Sequence, residues 1–217
     1  MRPHRWRCFH FSALLAVATC AAACQPRGKP APAPQLGAPG SLSGDVARNT
    51  DRAREETDRA YTLIQDGKYT DAEPALKRAL VADPMYGAAR NDLGIVYYHL
   101  NRLYEAAWEF QNAAKLMPRQ GQPQNNLGLV MDRAGRTDDA LRAYDKAVEL
   151  EPDNSEYAGN LARARIRTGL RDEVTRRLLE VVVARDARPE WVDWARFNLT
   201  RLRPSPSTLE GSPTTEP

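Results

Sequence analysis

Cysteine is scarce in this chain: only 3 of its 217 residues, all within the first 24. The remainder therefore offers neither a disulfide nor a thiolate for a metal site. Histidine is equally rare, and with His4 and His10 in the leader, His99 stands alone. A His/Cys zinc cluster and any catalytic pair of histidines are thereby excluded. Charge of one sign is missing too. Arg2, Arg5 and Arg7 lie in a leader without Asp or Glu, and beyond it basic residues match the 28 acidic ones one for one. A neutral, evenly mixed surface argues against nucleic-acid binding, which needs a net basic stripe. No Gly-rich phosphate loop, Gly-x-Ser-x-Gly or paired-His motif occurs. Outside the leader, serine is confined to Pro/Gly-rich ends and to Ser155, where helix capping accounts for it. Nothing assembles a nucleophile, a base and an oxyanion site. The expectation is a protein that is not an enzyme and has no cofactor, no metal and no small-molecule substrate.

What is present begins with residues 1–24, MRPHRWRCFHFSALLAVATCAAAC. A basic start, a short apolar run over residues 9–18 and small residues form the three-part plan of a secretory signal peptide. The run is too short to cross a bilayer, which needs about 20 residues. The small-residue stretch resembles the lipobox of bacterial lipoproteins. In that family a small apolar segment precedes a cysteine that is joined to diacylglycerol and becomes the new N-terminus. Two frames fit. Ala21-Ala22-Ala23 before Cys24 places a favourable Ala next to the cut and is preferred; Val17-Ala18-Thr19 before Cys20 is the alternative. Either frame implies a protein held by acyl chains on the extracytoplasmic side of the cell membrane or on the outer membrane. Gln25 after Cys24, where inner-membrane retention often uses Asp, favours the outer one. A soluble secreted protein cleaved after an Ala is the other reading.

Residues 25–44, QPRGKPAPAPQLGAPGSLSG, hold five Pro, four Gly and no aromatic residue. Such a segment buries too little apolar surface to fold and reads as a stalk. Residues 204–217, PSPSTLEGSPTTEP, read as a disordered tail on the same grounds.

Between these ends the sequence repeats every 34 residues. Pro84, Pro118 and Pro152 close the similar stretches ALVADP, AAKLMP and AVELEP. On the same register fall Leu93-Gly94, Leu127-Gly128 and Leu161-Ala162. So do the pairs Ala72/Ala79, Ala106/Ala113 and Ala140/Ala147, with Leu76, Phe110 and Tyr144 between them. Gly67, Asn101, Gly135 and Gly169 occupy the turn. Each unit reads as two amphipathic helices split by a Gly or Asn turn and ended by Pro. Small residues let two helices approach, and the large residue fills the gap. One hairpin cannot bury its own apolar face, so the units must stack.

These columns resemble the tetratricopeptide repeat (TPR) family. Residues 91–118, NDLGIVYYHLNRLYEAAWEFQNAAKLMP, carry its Leu-Gly, Tyr, Ala, Phe, Ala and Pro signature nearly complete. Residues 125–152 follow closely, with Met131 where the family favours Tyr. The resemblance implies an all-α helical-hairpin solenoid over residues 45–203, with repeats at about 53–86, 87–120, 121–154 and a degenerate 155–188. In the fourth, Val174 and Val181 stand for the alanines, Arg165 for the Tyr and Asp186 for the Pro. A capping helix over residues 189–203 is expected to cover the last repeat with Trp191, Trp194 or Phe197, and Leu199 or Leu202.

In this family the first helices of successive repeats line a concave groove that receives a segment of a partner protein. Carried over, the groove shows Tyr61, Ile64, Ile95, Tyr98, His99, Leu129, Asp132, Arg133, Arg163 and Arg167. The three arginines would pair with carboxylates of a partner. His99, near a helix end, is expected to be cationic and to interact with the helix dipole. The chaperone-binding subgroup has a lysine early in its first repeats; Thr57 and Asn91 occupy that place, so a chaperone C-terminus is not expected. The family resemblance implies a membrane-anchored, non-catalytic scaffold in the cell envelope. Short repeat lipoproteins of this kind resemble pilotins and adaptors of murein hydrolases.

Overall fold

The computed structural model describes residues 48–202. The leader with Cys20 and Cys24, the Pro/Gly-rich segment and residues 204–217 lie outside the described residues. Those described fold as nine helices without strands: α1 Thr50–Gln65, α2 Tyr69–Ala82, α3 Gly87–His99, α4 Leu103–Leu116, α5 Gln122–Arg133, α6 Thr137–Leu150, α7 Ser155–Arg167, α8 Glu173–Arg185 and α9 Pro189–Leu202. Each packs on its neighbours in sequence. The odd helices α1, α3, α5 and α7 also touch one another in order, forming an inner layer backed by the even helices.

The turn between the helices of each hairpin is set by one residue with positive φ: Gly67 at 73°, Asn101 at 61°, Gly135 at 73° and Gly169 at 83°. Glycine enters this region without steric cost, and asparagine is among the few other residues that tolerate it. Within each hairpin a small residue on the inner helix meets a large one on the outer helix. A Cβ added at Gly94 would lie 2.6 Å from Phe110, and one at Gly128 would lie 2.5 Å from Tyr144. Alanine takes the small position only in the two end hairpins, where the core beside it holds Leu76 near Ala60 and Leu179 near Ala162. Glycine thus stands against an aromatic ring in the two middle hairpins, and alanine shares the core with a leucine in the two end ones.

The fourth hairpin departs from the expected register. Val174 is about half exposed and Val181 only partly buried, while Thr175, Leu179 and Val182 are fully buried. These three stand 35, not 34, residues after Ala140, Tyr144 and Ala147. The turn after Gly169 is longer, with Asp172 rather than residue 170 capping the next helix. Arg165, in the aromatic position, donates to Thr175 Oγ1 at 3.0 Å and pairs with Asp172 at 2.7 Å across that turn. The same shift gives Asp186 a role other than that of the family Pro. It aligns with Glu151 and binds Arg188 at 2.7 Å. Glu151 accepts from Gly121 N–H at 2.8 Å, and Asp83 accepts from Thr50 Oγ1 at 2.9 Å. Asp83 and Glu151, each ending an outer helix, thus tie back to the start of the inner helix of the same hairpin.

α9 covers the last hairpin with Trp191, Trp194, Leu199 and Leu202, whereas Phe197 points outward, 58% exposed. Trp191 lies directly over Gly159. No described helix is long and apolar enough to cross a membrane.

Gly128→Ala is expected to destabilise the protein by about 1–3 kcal/mol, because the added methyl overlaps the Tyr144 ring. Combining it with Tyr144→Leu should recover much of that loss relative to the two single effects added. Urea unfolding of the four species measures the coupling, and strict additivity would refute the size-matching account.

Candidate peptide-binding groove

Helix geometry fixes what the inner layer displays. Residues at i, i+3 and i+7 share one face. In each inner helix one such stripe faces away from the even helices, giving three rows across the stack. The first holds Asp58, Asp92, Asn126 and Asn160; the second Tyr61, Ile95, Leu129 and Arg163; the third Gln65, His99, Arg133 and Arg167. The rows change character along the solenoid, from acidic and apolar over α1 and α3 to basic over α5 and α7.

Between α3 and α5 lies a cavity of about 180 Å³ lined by Ile95, Tyr98, His99, Phe110, Asn126 and Leu129. It is an apolar recess with room for one side chain. One wall is braced by aromatic stacking: the His99 and Tyr69 rings lie parallel, 4.2 Å between centroids, and Tyr98 meets His99 edge-on at 5.6 Å. Arg133 reaches back over Tyr98, its guanidinium 4.9 Å from the ring centroid, and donates to the Tyr98 carbonyl at 3.3 Å.

This environment corrects the reading of His99. Burial first, and then the charge of Arg133, hold its imidazole pKa below the ordinary histidine value. Both effects disfavour the cation expected on the helix dipole, and the ring serves as a stacking surface in the cavity wall.

The arginines expected to form a free basic cluster are each engaged within the fold. Arg167 is ion-paired with Asp132, so both of those residues are matched by each other. Arg163 stacks on Trp191 at 4.2 Å and Trp194 at 5.5 Å. Arg133 and Arg163 nonetheless have no carboxylate partner among the described residues, and carry the uncompensated positive charge of the groove. Tyr61 is 56% exposed on α1. Ile64 is placed differently from the rest: it packs against the core of the first two hairpins.

Amide side chains hold the inner layer together beneath these rows. Asn126 Nδ2 donates to Asn91 Oδ1 at 3.0 Å, and Asn160 Nδ2 to Asn125 Oδ1 at 2.9 Å. Both bonds join successive inner helices. Thr57, at the start of the column, turns its hydroxyl onto the Ala53 carbonyl at 2.7 Å.

Asp58, Asp92, Asn126 and Phe110 belong to the groove but not to the set read from the sequence. Asp92 is the most informative of them. It has no ion-pair partner among the described residues, accepting only from Asn91 Nδ2 at 3.3 Å. Burial, opposed in part by that bond and helped by the nearby charge of Asp58, pushes its carboxyl up to about 6. The stripe logic that selected Ile95 and His99 also selects Asp92, one turn earlier on the same helix.

An acid with a raised native pKa destabilises the fold wherever the unfolded-state carboxylate is ionised, fully above the native pKa, and not where both states are protonated. Asp92→Asn should therefore stabilise the protein by about 1–2 kcal/mol at pH 7. The gain should shrink as the pH falls through 6 and vanish near 4. Urea unfolding of both proteins near pH 7.5 and pH 4.5 measures it, and a pH-independent difference would contradict the assignment.

Two models of the tetratricopeptide repeat match residues 57–126 and 133–193, together more than half of the chain. No curated protein matches the sequence. Several solved structures share the fold. The first TPR of Spaghetti (RPAP3), bound to the HSP90 peptide SRMEEVD, is 18% identical with a TM-score of 0.54, covering 57% of this chain and 98% of its own. YrrB, a TPR protein with an unusual peptide-binding site, is 23% identical with a TM-score of 0.57, covering 71% and 77%. MamA is 22% identical with a TM-score of 0.54, covering 70% and 81%. The hairpins, their turns and these matches agree, and the chain belongs to the tetratricopeptide repeat family, whose fold serves protein–protein interaction.

Proposed function

We propose that the protein is a non-catalytic adaptor that receives a segment of another protein in its concave groove. In this reading it is lipid-anchored, through Cys24 or alternatively Cys20, at the extracytoplasmic face of a bacterial membrane. The observation that carries the groove reading is the open apolar cavity between α3 and α5, bordered by Arg133. A recess of that size suits one anchoring side chain, while the uncompensated charges of Arg133 and Arg163 suit a partner carboxylate. A segment laid in such a groove would bury less than about 1,200 Å², which suits reversible contacts. That is the behaviour an assembly factor of an envelope machine needs.

The anchor rests on the leader, where a signal-peptide plan ends in two cysteines preceded by small residues. The Pro/Gly-rich residues 25–44 would then serve as the spacer between lipid and repeats.

The HSP90 peptide seen with the RPAP3 repeat is a poor guide to the partner here. The place of the early lysine is taken by Thr57, whose hydroxyl is spent on Ala53, and by Asn91, which accepts from Asn126.

Two experiments test this reading. Cross-linking in native membranes should capture a partner with the wild-type chain and lose it with Arg133→Glu/Arg163→Glu. Arg102→Glu, outside the groove, should retain it. Capture by all three would remove the groove assignment. For the anchor, the mature N-terminal peptide should carry a lipid mass, and Cys24→Ser combined with Cys20→Ser should move the protein to the soluble fraction. A lipid-free mature N-terminus would favour the soluble secreted alternative.

A further inference from the structure

The groove is polarised, and the polarity constrains what it can bind. Over α1 and α3 it carries Asp58 and Asp92 with no cation of the chain paired to either among the described residues. Over α5 and α7 the unmatched charges are Arg133 and Arg163, because Arg167 is matched by Asp132. The apolar cavity lies between these two poles, with Asp92 one turn from Ile95 on α3 and Arg133 one turn from Leu129 on α5. A uniformly acidic segment would satisfy the arginines but place like charge against Asp92, and a uniformly basic one would do the reverse.

Accepting that the groove is the partner-binding face, we infer that it selects a segment of mixed charge. A basic side chain lies against Asp92 and Asp58, an apolar side chain enters the cavity, and an acidic side chain meets Arg133 or Arg163. The basic residue removes the repulsion between the two aspartates and gives the partly buried Asp92 the counter-charge that the fold withholds. Asp92 is thus a specificity-determining residue, and the order of charges along the solenoid fixes the direction in which the segment lies. Neighbouring helices sit roughly 8–10 Å apart, and an extended chain advances about 3.3 Å per residue. Arg133 is also set about 10 Å further along the helix axis than Asp92, so the basic and acidic residues should be separated by about four residues when Arg133 is used, and by about six when Arg163 is used.

The probe is a display library of random peptides about a dozen residues long, selected on the immobilised full chain and on three variants. Leu129→Arg fills the cavity, Asp92→Asn removes one pole and Arg133→Gln the other; far-UV circular dichroism checks that each is folded. Wild type should enrich peptides with a basic and an acidic residue flanking an apolar one. Asp92→Asn should lose the preference for the basic residue alone, and Arg133→Gln, combined with Arg163→Gln where the selected spacing is the longer one, the preference for the acidic residue alone. For a selected peptide, Asp92→Asn should weaken binding about five- to tenfold. Replacing the peptide's basic residue by Gln should then weaken binding to wild type but not to Asp92→Asn. Enrichment that Leu129→Arg leaves intact, or no enrichment at all, would overturn the groove reading and this inference together. Groove-dependent enrichment with no basic residue, or with a basic preference unchanged by Asp92→Asn, would overturn this inference and leave the groove reading standing. If Leu129→Arg does not fold, Ile95→Glu takes its place on the opposite wall of the cavity.

Discussion

The structure depends on how closely the two helices of a hairpin can approach. A two-helix unit has more apolar surface than it can hide within itself, so its outer and inner helices must meet tightly and still leave a face for the next unit. That contact is made where a glycine admits an aromatic ring, Gly94 to Phe110 and Gly128 to Tyr144. The ring then reaches past the hairpin; Phe110 forms part of the groove cavity itself. The same contact that closes the hairpin therefore builds the base of the recess that makes the concave face useful. The end hairpins pack the aliphatic Leu76 and Leu179 in the corresponding places.

Polar groups follow the same economy of position. Asparagines in the inner layer bond one another across repeats, the half-buried Asn126 with buried Asn91 and buried Asn160 with buried Asn125. A buried amide left alone would cost about 1–3 kcal/mol, so the ladder also fixes the register of neighbouring helices. Acidic residues at the ends of outer helices bind back to the starts of inner ones, as Asp83 does to Thr50 and Glu151 to Gly121. Hairpin geometry, stacking and register are thus served by three separate kinds of contact, each found in more than one repeat.

The recurring part was legible from spacing alone. Turn positions Gly67, Asn101, Gly135 and Gly169, the alanine columns of the first three hairpins and the cap by Trp191 and Trp194 all follow from a fixed period and the size of each residue. The fourth hairpin was misread at Val174 and Val181 because a longer turn moves the register by one, and valine is apolar enough to look acceptable at the wrong position. The groove was harder. Side-chain type tells that Arg133, Arg163 and Arg167 are basic, but not that Asp132 sits against one of them or that two tryptophans from α9 lie against another. His99 looked cationic in isolation; the burial and the nearby Arg133 charge that disfavour the cation, like its stacking on Tyr69, arise only in three dimensions. Asp92 was overlooked because an acidic residue on a helix is ordinarily a solvated one.

That carboxylate is also where stability and recognition diverge. The fold supplies partners for Glu73, Glu109, Asp132 and Asp186 from arginines on neighbouring segments, and the number of arginines shows that cations are not in short supply. Asp92 is left in the groove with an amide and another aspartate. Isolated and partly desolvated, it makes the native state less stable than an asparagine in the same place would. A cost of that kind persists at a position where the missing cation comes from outside the chain, and it is concentrated beside the one recess that opens between α3 and α5. The arginines at the other end complete the argument from the opposite sign: Arg163 keeps its charge while its plane is fixed by Trp191 and Trp194. A guanidinium held in place by stacking loses little entropy on meeting a carboxylate. One pole is thus unsatisfied and the other preorganised, and both gain from a single segment that carries the two complementary charges.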